Sequence, residues 1–428
     1  MRLALQIRSV LALAANVEEV DVTTTTPRCA NERKPMNGAP PFGPDQLVTL
    51  ENWQAAPSNR WGFQHVRELV PSARIKRAGP VWNLPRAERD VLGVSFEING
   101  ARFNLADLLD ETQTDAILVL HRGSIVAEHY FNGMDAETPH LLMSVSKSVT
   151  AALAGCLARR GAIEIDAPIT DLVPELEASS FSGATTRHLL DMRAGIVFDE
   201  DYDNVDADVR VYEQIYQLRP RTTSALPRDA LTYFATLKRD REHGGAFRYS
   251  SILTDVLAWV LERAGGERFH ELVSQELWSP MGMEFDAEVT LDPHGNAMAD
   301  GGISACLRDL GRLGLQYLPD AKNGRFQVVP SAWVRDTICG AADGPVAFNL
   351  LGEQPGFPSG SHYRSGWWIR NSDAPYLQAL GIYGQNIFVY GPTNTVVVKL
   401  SSWATPLDPT ALNATAAAVV AIGEYLEQ

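Results

Sequence analysis

Strand signals lie near the two ends of this chain with helical sequence between them, which restricts it to folds whose sheet is assembled from distant segments. From Asp115 to Phe131 the sequence DAILVLHRGSIVAEHYF gives two β-rich runs around His-Arg-Gly-Ser, a hairpin pattern with Gly123 at the turn. A second strand pair is predicted at Asn386–Tyr390 and Thr395–Leu400, with Gly391 and Pro392 between them. Between these ends the pattern is helical. Ser144–Ala158 places Val145, Val149, Ala152, Leu153 and Cys156 on one face, and Gly161 can stop it. Thr254–Ala264, Phe269–Leu277 (closed by Ser279-Pro280) and Pro409–Leu426 are further predicted helices. The expectation is an α+β fold: an antiparallel sheet covered on one face by helices, with an inserted, mostly helical lobe. Its boundaries are 46–175 and 300–428 for the α/β sheet domain and 176–299 for the lobe. There is no internal repeat.

The first 45 residues read differently. TTTTP at Thr23–Pro27 and the turn formers from Asn31 to Pro44 hold no periodicity, so an N-terminal arm is expected, with order beginning near Gln46. The opening MRLALQIRSVLALAAN has a basic start and an apolar run, but Arg8 interrupts that run. A cytoplasmic protein is the expectation, with export as the alternative. No stretch reaches the roughly 18 apolar residues of a membrane span.

At 428 residues, 45% hydrophobic and 21% charged, the chain can bury a large core in one domain or two interleaved ones, which excludes collagen-like, repeat and disordered classes. Its 52 acidic residues against 37 basic ones leave a formal charge of −15, which argues against nucleic-acid or anionic-membrane partners and leaves a cationic or neutral small substrate open. Cys29, Cys156, Cys306 and Cys339 are far apart with no zinc spacing, and core thiols are the simpler reading.

The chemistry is narrowed first by absences: G-x-S-x-G, H-E-x-x-H, Walker and G-x-G-x-x-G motifs do not occur. His188, His243, His270 and His294 have no ligand spacing. The acidic run Asp199–Asp208 fails as a calcium loop, because its sixth position is Asn204 and its twelfth is Arg210. The positive signal is Ser144-Val145-Ser146-Lys147 at a helix start. Three residues of helix set the two side chains on one side, roughly 4.5 Å apart along the axis. A serine hydroxyl needs a base in reach, and a lysine desolvated beside it can serve. Ser146 and Ser148 are rival hydroxyls without a lysine three residues on. Against this stands the plainer option that Ser144 caps a helix and Lys147 is solvated. Tyr249-Ser250-Ser251 precedes the Thr254 helix, where a tyrosine could relay a proton if nearby cations lower its pKa. Gly381-Ile382-Tyr383-Gly384-Gln385 leads into a strand, and its glycines let a backbone N–H approach a substrate, unless it is a simple turn.

These three elements in this order resemble the serine β-lactamase and penicillin-binding-protein superfamily. Within it they resemble the branch of 6-aminohexanoate-dimer hydrolases and related carboxylesterases. The resemblance rests on NRWGFQHVRELVP (Asn59–Pro71), LLMSVSKS (Leu141–Ser148), TDVLAWVLER (Thr254–Arg263), DGGISACLRDLGRLG (Asp300–Gly314), GQNIFV (Gly384–Val389) and VVVKLSSW (Val396–Trp403). It implies a β-lactamase/transpeptidase-like fold and an acyl-enzyme mechanism with no metal or cofactor. Carried over, Ser144 is the nucleophile, Lys147 its base and Tyr249 the proton relay. The backbone N–H groups of Ser144 and Ile382 form the oxyanion hole. Tyr202 matches a loop tyrosine that favours amides over esters, Glu213 an acidic residue holding an ammonium end, and Trp368 a pocket wall.

The departures are as specific. There is no K-T-G, and Tyr383 stands where a histidine is usual, which removes the cationic handle for a β-lactam carboxylate. Ser251 gives Tyr-Ser-Ser in place of Tyr-x-Asn. Asp300 replaces an amide residue and, with Glu213, predicts an acidic pocket suited to an amine-bearing substrate. The function expected is a serine hydrolase of small linear amides. A carboxylesterase, a transacylase and a binding module on the same fold are the alternatives, and a homodimer is allowed.

Overall fold

The computed structural model describes residues 35–36, 38–98, 100–318, 324–354, 356–370 and 376–428. Most of the expected arm, including Thr23–Pro27 and Cys29, lies outside the described residues. Of the described chain, residues 38–41 are exposed and the first buried side chain is Val48.

Seven strands form the main sheet: β1 Thr114–His121, β2 Ser124–Tyr130, β3 His362–Arg364, β4 Trp367–Arg370, β5 Tyr376–Gly381, β6 Gln385–Tyr390 and β7 Thr395–Ser401. Their order is β3-β4-β5-β6-β7-β1-β2, antiparallel throughout. The two predicted hairpins therefore meet at one seam, where Val398 opposes Leu118 and Val397 opposes Val119. The β1–β2 turn uses Arg122 (φ 49°) and Gly123 (φ 80°).

Helices cover both faces of this sheet, not the single face expected. Leu118, Leu120, Ile387, Val389, Val396 and Val398 belong to one core, and the alternate residues Ile117, Val119, Phe388, Tyr390 and Val397 to another. An unbroken apolar run such as Val396-Val397-Val398 is what a strand buried on both sides requires. Of the helices needed here, α1 is Leu105–Glu111, α2 Ser146–Arg159, α3 Asp208–Ile215, α4 Ile252–Gly265, α5 Leu307–Leu315 and α6 Pro409–Leu426. On the first face α5 comes so close that a Cβ at Gly311 would lie 2.6 Å from Leu118, and one at Gly314 2.5 Å from Val396. On the second face lie α1 and α6, the latter with the predicted bounds and capped by Asp408, which accepts the Ala411 N–H at 2.9 Å.

The helix carrying the serine–lysine pair also differs from expectation. A single turn of 3-10 helix, Met143–Val145, comes first, and α2 begins only at Ser146. From Ser146 to Leu157 every residue is buried, so α2 is a central rod and not an amphipathic surface helix. Its end comes at Arg160, with Gly161 at φ 73° beyond. The Phe269 helix runs as α-helix to Val273 and passes into a π-turn, Ser274–Trp278.

A second sheet of four strands pairs Ser72–Ile75 with Ala287–Thr290, then Ile303–Ala305, then His140–Leu141. It leads directly into the Ser144 turn. We propose the division at residues 176 and 299 as one of topology, since the larger core draws on residues from all three segments. Among the described residues no helix is long and apolar enough to cross a membrane. Cys156 and Cys306 are buried, and Cys339 is exposed at a helix end.

Candidate active site

Ser144 sits in the 3-10 turn just after Met143, which holds a left-handed backbone at φ 48°. A side chain is rarely held there unless its surroundings impose it. The turn is fixed by Leu142, whose N–H donates to the Ile303 carbonyl at 2.8 Å. Lys147 Nζ donates to Ser144 Oγ at 2.8 Å and to the Asp300 carbonyl at 2.9 Å, with Asp300 Oδ2 3.6 Å away. The Lys147 side chain is 1% exposed, which excludes the solvated lysine of the plainer option. Both rival hydroxyls are engaged elsewhere: Ser146 Oγ accepts the Ile303 N–H at 3.2 Å, and Ser148 Oγ donates to the Gly366 carbonyl at 2.7 Å.

Ser144 opens onto a narrow cavity of about 50 Å³ shared with Tyr202, Glu213, Ser251, Asp300 and Ile382. Ile382 reaches it because β5 ends on a glycine. A Cβ at Gly381 would lie 2.6 Å from the Leu142 carbonyl oxygen, so only a bare Cα lets the strand end press against the Ser144 turn. Five sequence-predicted residues thus meet Ser144 in one space.

Tyr249 completes the group with one correction. Lys147 Nζ stands 5.2 Å from the centre of its ring. Burial, reinforced by the charge of Glu200, holds the phenol well above its ordinary range, while hydrogen bonding with Ser144 and Ser251 works the other way. The expected lowering by cations is overturned: this tyrosine keeps its proton.

Of the other predicted residues, Trp368 and Glu213 depart from expectation, while Tyr383 opens on a second cavity. Trp368 does not line the cavity over Ser144; it stacks behind Tyr249 at 5.4 Å and 21°, with Phe357 on it at 4.7 Å. Tyr383, at φ 60°, packs edge-on to Phe63 and faces an adjoining cavity of about 310 Å³ with Tyr202, Arg210 and Arg219. Glu213, on α3, is matched by two cations: its Oε2 accepts from Arg210 at 2.8 Å and from Arg219 at 2.5 Å. Its charge is already balanced, so it does not supply the free acidity expected of the pocket.

Two residues the sequence did not single out complete the network. Glu200 accepts from the Ser251 N–H at 2.8 Å, from the Ser251 hydroxyl and from Tyr202 Oη at 3.0 Å, and burial raises its carboxyl above the ordinary value. Asp255, on α4, accepts the N–H groups of Ala299 (2.6 Å) and Asp300 (3.0 Å) and the Tyr212 hydroxyl (2.7 Å). The Glu-Asp-Tyr stretch contained the signal for Glu200; a lone aspartate on an apolar helix was the only one for Asp255. Elsewhere in the acidic run Asp199, Asp201 and Asn204 each accept the N–H two residues on. Chemically, the assembly offers a hydroxyl and a strand end on one small cavity, with an amine at hydrogen-bond distance from that hydroxyl and a phenol retaining its proton beside the amine.

Known proteins share this arrangement of chain. A curated 6-aminohexanoate-dimer hydrolase of Paenarthrobacter ureafaciens is 36% identical over 359 residues, covering 84% of this chain and 89% of that one. The solved structure of a Bacillus anthracis protein assigned as a 6-aminohexanoate-dimer hydrolase superposes with a TM-score of 0.80 at 27% identity, over 89% of this chain and 97% of the other. An octameric penicillin-binding protein homologue from Pyrococcus abyssi shares the fold alone, with a TM-score of 0.58 at 16% identity over 76% of each chain. The family model described as Beta-lactamase matches residues 104–422, a span that holds Ser144, Lys147, Tyr249 and Ile382, and the chain belongs to that family.

Proposed function

We infer that the protein is a serine hydrolase of small linear amides that works through an acyl-enzyme on Ser144. The observation that carries this reading is the buried contact of 2.8 Å between Lys147 Nζ and Ser144 Oγ beneath an open cavity. Lys147, as the neutral amine, takes the Ser144 proton as Oγ attacks the substrate carbonyl carbon. The backbone N–H groups of Ser144 and Ile382 receive the oxyanion. When the carbon–nitrogen bond breaks, Tyr249 donates its proton to the departing amine and is reprotonated by Lys147. Water then attacks the ester, with Lys147 again as base, and releases the acid and Ser144. Tyr202 and Ser251 hold the scissile group, with Glu200 orienting both.

The likeness to the 6-aminohexanoate-dimer hydrolase supports a linear amide as substrate. Asp300 lines the cavity and favours a substrate bearing an amine. An esterase on the same machinery is the second reading, because nothing in the Ser144–Lys147–Tyr249 set requires the leaving atom to be nitrogen. We assign the protein to the cytoplasm, with a homodimer as the assembly to test.

Labelling with a fluorophosphonate and mapping the modified residue by mass tests the site, with Ser144→Ala as the control. Label on another residue, or label that survives the substitution, sinks it. A panel of nitrophenyl esters, nitrocefin and the 6-aminohexanoate dimer, with and without an added amine, separates amidase, esterase and transacylase. Turnover of the dimer above the esters is the expected result.

A further inference from the structure

Two of the histidines without ligand spacing, His188 and His243, stand face to face, their ring centres 6.1 Å apart and their planes 24° from parallel. His188 Nδ1 accepts the Thr185 N–H at 3.2 Å. In return Thr185 Oγ1 accepts the His188 N–H at 3.3 Å, a reciprocal cap on the short helix Thr186–Leu190. His243 Nδ1 accepts the Gly195 N–H at 3.0 Å, just before the strand Ile196–Val197 that pairs with Lys238–Arg239. A backbone N–H can only donate. Each Nδ1 therefore carries no proton, and both rings are neutral in this fold.

The pair lies against the turn that leads to Tyr249. A Cβ at Gly244 would lie 2.9 Å from His188 Nε2. The His188 carbonyl accepts the N–H groups of Arg193 (2.8 Å) and Ala194 (3.1 Å), and the Arg193 carbonyl accepts the Gly244 N–H at 2.9 Å. The Arg193 guanidinium donates to the Gly244 carbonyl, to the Gly245 carbonyl at 2.7 Å and to Asp343 Oδ1 at 2.9 Å. Arg248 donates its N–H to the Met192 carbonyl at 3.0 Å. Residues 188–193 are thus laced to 244–248, and Tyr249 is the next residue.

Resting on the reading of Tyr249 as the group that protonates the departing amine, we propose that His188 and His243 form an acid-sensitive latch on its turn. The latch holds while both rings are neutral and opens when they take up protons from solvent. A proton on either Nδ1 turns an acceptor into a donor that faces a backbone donor, so the Thr185 or Gly195 N–H loses its partner. Two imidazolium rings at the observed spacing also repel each other.

The charged groups facing His188 are His243, Arg193 and Asp166; those facing His243 are Arg239 and Glu242. The nearby Arg187 is paired with Asp191 and Asp336, and Arg241 with Asp240. Burial first, then each ring's cationic neighbours, hold both histidines below their ordinary value, while Asp166, Glu242 and the backbone at Ser182 and Ser180 work the other way. An unfolded histidine titrates near about 6.5. Below that value the unfolded chain binds more protons than the folded one, so the latch's stability is complete above about pH 6.5 and is lost as pH falls from there.

The decisive variant joins His188→Asn to His243→Asn, because the asparagine Oδ1 can accept an N–H from the place of Nδ1 and does not titrate. In urea melts from about pH 7.5 to about pH 5, the unfolding constant of wild type should rise at least about tenfold more than that of the double variant. Parallel curves overturn the proposal. Hydrogen exchange of peptides covering 185–195 and 240–251, corrected for the intrinsic pH dependence, should show wild type losing about tenfold in protection between about pH 7 and about pH 5.5 while the double variant keeps it. Unchanged protection in wild type overturns the latch, and should the double variant fail to fold by circular dichroism, this measurement decides alone. Amide turnover at about pH 5.5, relative to neutral pH, should be at least about threefold higher in the double variant; equal acid limbs overturn the link to Tyr249. A Tyr249→Phe variant with full amide turnover would instead overturn the underlying reading, a distinct result.

Discussion

Among the described residues two lysine–serine pairs are buried, and they lie in opposite surroundings. Lys147 Nζ donates to Ser144 Oγ at 2.8 Å beside a cavity, and Lys399 Nζ donates to Ser401 Oγ at 2.6 Å inside the main sheet. Both lysines are at most 2% exposed. Lys399 projects from β7 between Asn386 and Ile117, 5.5 Å from the Trp403 ring, and burial, opposed only by the charge of Asp115, lowers it to about 7. A loosened proton is therefore cheap to obtain in a protein interior. What Lys399 lacks is a serine on a strained turn that opens to a substrate, with a phenol beside it. On the proposed reading, the set of partners, and not burial, separates a base from a packing lysine.

The sharpest way to break this comparison is to remove each lysine. Lys147→Met should lower Ser144 labelling and amide turnover by about 10³-fold or more, whereas Lys399→Met should leave both within about threefold. Label appearing on Ser401 would erase the distinction.

Next in size is an effect on stability. The folded Lys399 releases its proton near 7 while the unfolded lysine holds it to about 10.4. Between those values the unfolded state binds more protons, so stability rises with pH across that window. Below about 7 both states are protonated and the full cost of the buried ammonium remains, on the order of a few kcal/mol. Urea melts from about pH 7 to about pH 10 should show wild type gaining stability by that amount and Lys399→Met gaining much less. Parallel curves would contradict the assignment.

Smaller is the contribution of Tyr202. Tyr202→Phe keeps the ring and loses the hydroxyl that donates to Glu200, and amide cleavage should fall about tenfold more than ester cleavage. An equal loss on both substrates would remove its role in choosing between them. Smallest is Ser148→Ala, which takes away the bond from α2 to the Gly366 carbonyl at 2.7 Å. About 1 kcal/mol of stability should go with nearly unchanged labelling; a large loss of activity would make Ser148 part of the reactive group.

Local signals carried far in this chain. The runs around Gly123 and at Val396–Leu400 became strands at one seam, and Pro409–Leu426 is a helix with those bounds. Ser144 and Lys147 were legible because three residues of turn set their separation whatever packs around them. Tyr249, Tyr202 and Ser251 came through the order of motifs, which carries a fold's history as well as its physics. Glu200 was singled out by nothing beyond its place in the Glu-Asp-Tyr stretch, and Asp255 by less: their contacts with Ser251 and Asp300 are made only when loop, α4 and sheet close on one another. Glu213 was legible as a cavity residue and misjudged in charge, since Arg210 and Arg219 neutralise it from three and six residues away.

By itself, then, the order of residues determined the elements, the strand ends that had to find each other, and a hydroxyl and amine on one turn. These follow from short-range geometry and from the apolar period of two or three to four residues. Only tertiary structure decided which way protons lean. It sealed Lys147 against Asp300, raised the Tyr249 phenol, turned Trp368 behind that ring and balanced Glu213, because the energy of a charge depends on the solvent it has lost and the charges it faces across the fold.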